Sequence, residues 1–237
     1  MRNIGDIGRK LGHLAQKETP ERLKIVCSMI RPDKSPINVL DVGCGEGGLG
    51  MLLKKRYGSK VNIIGIDISE EALKLAEPFY DKLLQVDVEN EDIRKILKGQ
   101  KFDYIVAIEI LEHLFKPELL VSKLKGILKP DGYIIVSFPN FAFWKYRIEC
   151  LLGRFPDQHL YSDAEHIHYW SFLQFIKFLN DCRLDVIEFD GVFGIPFSRF
   201  LPRKVVKWLG KKFPNVFGYQ IVLKTTIRFK NEHLHVC

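Results

Sequence analysis

The 237-residue sequence has no apolar run approaching the ~20 residues that a membrane-spanning helix needs, so no such helix is expected. Its first residues, Met1 to Lys17, hold no apolar core of the kind a secretory signal requires. Cysteine is sparse, and the five (Cys27, Cys44, Cys150, Cys182, Cys237) are odd in number, scattered and without a C-x-x-C pair. That spacing argues against a disulfide framework and against zinc or dithiol chemistry, and it suits reduced thiols in a cytoplasm. Repeats, low-complexity tracts and Gly/Ser linkers are missing too. Acidic residues vanish between Gly191 and Asn231, a stretch that carries nine Lys/Arg. The formal net charge of +7 therefore belongs to the C-terminal segment, because the first 190 residues are nearly balanced.

What is present is an ordinary globular composition, 46% hydrophobic and 27% charged, in a length suited to one large domain. Short β-branched apolar runs alternate with helical stretches, the pattern of a parallel sheet covered on both faces. Strands are expected at 37–42, 61–66, 83–86, 102–108, 133–138, 184–189 and 220–228. Helices are expected at 21–30, 48–56, 70–80, 93–97, 117–128, 172–180 and 203–213. The first five strands are separated by helix-length crossovers and should be parallel. Two irregular stretches, 139–170 and 191–203, are longer than a connection needs and should emerge at the sheet's carboxyl edge, where ligands bind in open α/β folds.

Val39-Leu-Asp-Val-Gly-Cys-Gly-Glu-Gly-Gly48 reads as a strand, a tight glycine turn and a helix start. Gly43 and Gly45 would let the main chain touch a ligand. Gly43, Gly45 and Gly48 also satisfy the dinucleotide fingerprint, so charge has to separate the readings. A pyrophosphate would sit beside Asp41 and Glu46, which is unfavourable. S-adenosylmethionine (SAM) carries an ammonium and a sulfonium, which acidic neighbours favour. Three further acids follow successive strands. Asp67 closes the second and suits the two ribose hydroxyls. Asp87 ends the third and could accept from an adenine amino group, with the Val88 N–H on the ring. Glu109 follows the fourth. One such acid would be read as a solvated strand end; four in register point to a cofactor. The candidate cofactor contacts are thus Asp41, Gly43, Cys44, Gly45, Asp67, Ile68, Asp87, Val88 and Glu109.

VLDVGCGEGG, IIGIDIS, LQVDVEN, FDYIVAIEILEHL and LKPDGYIIVSFPN together resemble the sequential motifs of class I SAM-dependent methyltransferases, from residue 37 to about 190. Within that family, SFPNFAFWKYRIECLLGRFP followed by EHIHYWSFLQF looks like the MetW-like branch and related methyltransferases of bacterial surface-polysaccharide pathways. The resemblance implies a Rossmann-like seven-stranded, mostly parallel sheet of order 3-2-1-4-5-7-6 with the last strand antiparallel. It implies one domain over 1–237, with an N-terminal helical segment 1–32 and the basic insertion 191–218 between the last two strands. Activity as a SAM-dependent O-methyltransferase follows, or, for a MetW-like protein, a role as the SAM-binding accessory subunit of a partner enzyme such as a homoserine acyltransferase.

Glu109, Glu112 and His113 would share one face if helical. His166 and His168 precede a helix that Ser171 should cap. The set resembles the E-x-x-E-H plus distant His of ubiquinone-pathway O-methyltransferases and small-RNA 2′-O-methyltransferases, where it binds a divalent metal beside the acceptor hydroxyl. Two readings stay open: a metal on Glu109, Glu112, His113 and His166 (or His168), or metal-free proton transfer by His113, His166 or His168 with Glu112. His159 is a further pocket candidate. Phe138 to Tyr146 is rich in aromatics, with Asn140 and Tyr146 as polar candidates for acceptor contacts. Pro202 to Phe213 winds into a basic amphipathic helix. It could lie on an anionic membrane through 199–213, or pack its apolar stripe on the sheet. The acceptor is expected to be a small molecule or lipid-linked, the protein cytoplasmic or peripheral at a membrane, and nucleic acid is not expected as a partner.

Overall fold

The computed structural model describes residues 20–33, 36–155 and 166–228. In chain order the elements are α1 (Glu21–Met29), β1 (Ile37–Val42), α2 (Gly48–Tyr57), β2 (Val61–Asp67), α3 (Glu70–Ala76), β3 (Lys82–Gln85), α4 (Ile93–Ile96) and β4 (Phe102–Ile108). They continue with α5 (Pro117–Ile127), β5 (Leu128–Pro139), α6 (Trp144–Leu151), α7 (Phe172–Asp181), β6 (Leu184–Phe193), α8 (Arg203–Lys212), α9 (Pro214–Phe217) and β7 (Gly218–Ile227). The strands form one seven-stranded sheet ordered β3-β2-β1-β4-β5-β7-β6. β1 to β5 pair in parallel, while β7 runs antiparallel to both β5 and β6. The expected strand order and the single reversed strand are therefore observed.

Why the central strands read as continuous apolar runs is visible in their burial. Alternate residues serve opposite faces: Leu40 and Val42 of β1 join one core with α5 and α7, whereas Val39 joins the other with α1 and α2. A strand covered on both faces cannot alternate with polar residues. Helix starts follow local chemistry. Ser69 Oγ accepts from Ala72 N to cap α3, Pro117 opens α5, and Ser171 with Gln174 forms a capping box on α7, as expected of Ser171.

Several limits differ from expectation, among them β6, which runs to Phe193 instead of Phe189, and α3, which ends at Ala76 instead of Tyr80. β5 begins five residues early, at Leu128, and a register irregularity between Phe102 and Tyr104 of β4 accommodates its Lys-Pro-Asp-Gly stretch. The stretch read as irregular, 139–170, contains the helix α6. β3 stops at Gln85, so Asp87 lies beyond the strand it was expected to end. Among the described residues, no helix is long and apolar enough to cross a membrane.

Candidate active site

β1 ends in a glycine turn at the sheet's carboxyl edge. Gly43 takes φ +71°, and a Cβ there would lie 2.1 Å from Ile110 Cδ1, so any side chain would force Ile110 aside. Gly47 (φ +89°) would place a Cβ 2.9 Å from the Ala76 backbone, which fixes how closely the loop approaches α3. The amides of Gly43 and Cys44 both donate to the Ile66 carbonyl, at 2.8 and 3.1 Å. Asp67, the last residue of β2, accepts from Gly45 N at 2.8 Å and from Ser69 N at 2.9 Å. Its two oxygens thus lock the turn to β2 and keep lone pairs free for a ligand. The Cys44 thiol is buried against Gly65, and burial pushes its pKa well up, so Cys44 offers a ligand only its backbone.

Above the turn lies a cavity of about 520 Å³, bordered by Arg22, Asp41, Gly43 to Gly48 and Ile108. That volume suits a small organic ligand. Asp41 is buried on its floor and accepts from the Tyr80 hydroxyl at 2.5 Å. Burial raises its pKa to about 7; the Tyr80 hydrogen bond opposes this and Asp67 adds to it. Arg22, from α1, supplies a buried Nε with no hydrogen-bond partner among the described residues. Sequence reasoning missed Arg22, because nothing in Glu21-Arg-Leu-Lys-Ile marks one basic residue of a helix as facing a pocket.

Ile68 is 63% exposed just past Asp67, and Asp67, Ile68, Asp87 and Val88 lie outside the lining of this cavity. The Asp87 carboxylate accepts from Glu89 N, Asn90 N and Asn90 Nδ2, and these bonds, the Asn90 side chain first, lower its pKa. Asp87 therefore caps a turn. The Val88 carbonyl accepts from Lys123 Nζ at 2.8 Å.

Glu109 follows β4 in a left-handed conformation (φ +53°), a cost that a side chain bears only where its surroundings hold it. Ser137 Oγ of β5 donates to its Oε1 at 2.8 Å, and Gln220 Nε2 of β7 donates to Oε2 at 3.1 Å. Burial raises the Glu109 pKa, opposed first by the Arg22 guanidinium. Ser137 and Gln220 had no signal in the sequence, since only the order of the strands brings them to Glu109.

Glu112 is fully buried, and neither of its carboxylate oxygens has a hydrogen-bond partner among the described residues. Burial, with Glu109 nearby, holds its pKa well above the carboxylate range. Its carbonyl accepts from Ile167 N (2.8 Å) and His168 N (3.0 Å), which draws the distant histidine segment onto the turn after β4. Donor atoms of Glu112, His113 and His166 lie within 4.8 Å of one another, and the two imidazole rings are 4.7 Å apart. The expected convergence of the two segments is observed, with one correction: Glu109 is absent from the cluster. The turn at 111–113 is 3₁₀, the left-handed Glu109 breaks its helical phase with Glu112, and Ser137 and Gln220 engage its carboxylate. His168 stacks on Trp170 with ring centroids 5.0 Å apart, and its buried Nε2 has no hydrogen-bond partner among the described residues. His159 lies outside the described residues.

The two polar candidates of the aromatic loop are placed as scaffold. Asn140 is fully buried; its Nδ2 donates to the Gly218, Pro214 and Asn215 carbonyls, and its Oδ1 accepts from Ala142 N and Phe172 N. Tyr146 is buried among Phe141, Phe143 and Tyr219.

A glycine turn after β1, an acid ending β2 and a reversed β7 define the class I SAM-dependent methyltransferase fold. Residues 33–192 match the family model described as "Methyltransferase domain", and the chain belongs to that family. It is 30% identical over 190 residues to the mitochondrial ubiquinone biosynthesis O-methyltransferase of Dictyostelium discoideum, covering 67% of this chain and 54% of that one. It is 33% identical over 167 residues to the ubiquinone biosynthesis O-methyltransferase of Actinobacillus pleuropneumoniae serotype 7 (strain AP76), covering 68% of this chain and 69% of that one. The chain thus spans about half the length of the first relative. Among solved structures, a methyltransferase in complex with the Haloferax volcanii Trm112 activator shares the fold at a TM-score of 0.62 and 16% identity, covering 97% of each chain. The plantazolicin methyltransferase BpumL with S-adenosylhomocysteine (SAH) does so at 0.60 and 19%, covering 93% of this chain and 90% of that one.

Proposed function

We propose that the protein transfers the methyl group of SAM to an oxygen of a small-molecule, sugar or lipid-linked acceptor. The observation that carries this reading is the Glu112–His113–His166 cluster on the turn after β4, the turn whose Ile110 packs against Gly43. The O-methyltransferase names of the relatives favour oxygen. When bound, SAM supplies an electrophilic methyl carbon on sulfur. Asp67 would accept from the ribose hydroxyls, and Asp87 and Val88 would meet the adenine edge beside the exposed Ile68. Asp41 would face the ammonium, and the orphan Nε of Arg22 suits the methionyl carboxylate. The protein's main work is alignment of acceptor oxygen, methyl carbon and sulfur. When the methyl group leaves sulfur for the acceptor oxygen, the acceptor proton would pass to His113 or His166, with Glu112 beside them and His168 on the same segment as His166.

One carboxylate and two imidazoles, with the buried Glu112 carboxylate lacking a hydrogen bond among the described residues, also fit a divalent ion of the Mg, Mn or Zn type. Held by Glu112, His113 and His166, such an ion would lower the pKa of an acceptor hydroxyl. Turnover of labelled SAM against fractionated cell extract, with and without chelator, tests both parts. Label transfer that persists in chelator is the expected result where a histidine takes the proton; transfer abolished by chelation, with SAM affinity retained, would assign the metal, and Glu112→Gln would then lower the rate about 10–100-fold. Full activity in chelator would assign the proton to a histidine alone. SAM binding without transfer to any fraction would favour the accessory-subunit reading.

A further inference from the structure

We propose that the face formed by Phe197 to Phe213 docks on an anionic lipid bilayer, which deepens the reading of a lipid-linked acceptor. Phe197 is 77% exposed, Phe200 70% and Trp208 60%, in a segment with no acidic residue. Large apolar side chains in water are costly unless something covers them.

The inward side of α8 is settled. Gly210 lies so close to Phe193 of β6 that a Cβ would fall 2.2 Å from its ring, and Val206 and Leu209 are half-buried. Lys207 pairs with Asp190 of β6 at 2.6 Å, and Lys211 reaches the same carboxylate at 3.7 Å. With that side fixed, helical spacing turns Trp208 outward between Lys204 and Lys212. Lys212 Nζ sits 5.1 Å over the Trp208 ring, and the Arg199 guanidinium 4.6 Å over Phe200. Arg199, Arg203, Lys204 and Lys212 have no acidic partner among the described residues. Aromatic rings flanked by unneutralised cations match the boundary between phosphate headgroups and acyl chains. RNA phosphates would satisfy the cations and leave Phe197 and Leu201 unrewarded.

Topology puts this surface where it would matter. β6 ends and β7 begins at the carboxyl edge of the parallel strands, so the insertion shares that edge with the glycine turn. Asn140 Nδ2 ties Pro214 and Asn215 to the exit of β5, and Gln220 reaches Glu109. A docked bilayer would thus border the side from which an acceptor approaches.

Co-sedimentation of the full chain with phosphatidylcholine vesicles, with and without about 30% phosphatidylglycerol, tests this independently of methyl transfer. Binding only to anionic vesicles, weakened by salt and by about tenfold or more in Lys204→Glu/Lys212→Glu, is the expected result. Trp208→Ala should also weaken it, while SAM affinity by calorimetry stays unchanged in both variants. No binding to anionic vesicles at low salt would overturn the proposal, as would vesicle binding that both variants retain. Selective binding of an RNA oligomer, lost in the same variants, would overturn it in favour of nucleic acid. If vesicles bind while no fraction is methylated, the docking surface stands and the enzymatic reading fails.

Discussion

Asp41 shows how one residue can couple cofactor binding to stability. Its burial raises the folded-state pKa to about 7 from an ordinary 3.8. A carboxyl group raised in this way is most compatible with folding below its unfolded pKa. The compatibility is lost as pH climbs through the folded value, because the charge must then be buried. Asp41→Asn keeps an acceptor for the Tyr80 hydroxyl and removes the titration. Relative to the parent, the variant should therefore gain about 2 kcal/mol more stability at pH 8 than at pH 5. Comparing urea unfolding of both proteins at the two pH values cancels contributions from Glu109 and Glu112. A gain independent of pH would show that Asp41 does not titrate in this range. A cation beside Asp41 would favour the ionised form, so SAM binding near pH 7 should release a proton.

At the scale of elements, Asn140 joins three segments that the chain separates. Its side chain bonds the loop after β5, the first residue of α7 and the turn leading into β7. All of this is buried, so truncation strands several backbone groups and is not merely the loss of one contact. Asn140→Ala should cost about 2–4 kcal/mol in urea unfolding and leave SAM affinity within a factor of a few. A loss below about 1 kcal/mol would mean that water replaces the amide. How much of this was legible in the sequence follows the same division between local and non-local causes. β1 and β4 match their expected limits, 37–42 and 102–108, because strands covered on both faces advertise themselves as unbroken apolar runs. The early start of β5 was hidden by Lys129-Pro-Asp-Gly132, which reads as a turn, and α6 by a half-exposed face with no side-chain cap. Acids at strand ends were legible as a set. Arg22, Ser137 and Gln220 were not, since their roles exist only after α1, β5 and β7 have packed around β4. Asn140 was legible as a polar residue in an aromatic loop, yet its role depends on carbonyls more than seventy residues away.

For the whole molecule, the question is whether the described residues fold as one unit, which we propose. The two apolar cores are the two faces of the same strands, so neither can melt while the other keeps its sheet. α1 is fastened across that sheet by Lys224 of β7. Its ammonium donates to the Met29 carbonyl at 3.0 Å and lies 4.1 Å from the Tyr133 ring centroid. The insertion between β6 and β7 is fastened by Asn140 and by Asp190. Arg22 of α1 and Asp41 of β1 border the same cavity, so a ligand there bridges the N-terminal helix and the sheet. Scanning calorimetry should then show one transition whose calorimetric and van't Hoff enthalpies agree. SAH at one hundred times its dissociation constant should add about 2.7 kcal/mol to the whole transition. In a protein of this size that corresponds to a rise of roughly 5–10 °C. Two transitions, of which SAH moves only one, would show that α1 or the basic insertion melts apart from the sheet. The cavity would then have to be built by the glycine turn without Arg22, and Arg22→Ala would leave SAH affinity unchanged.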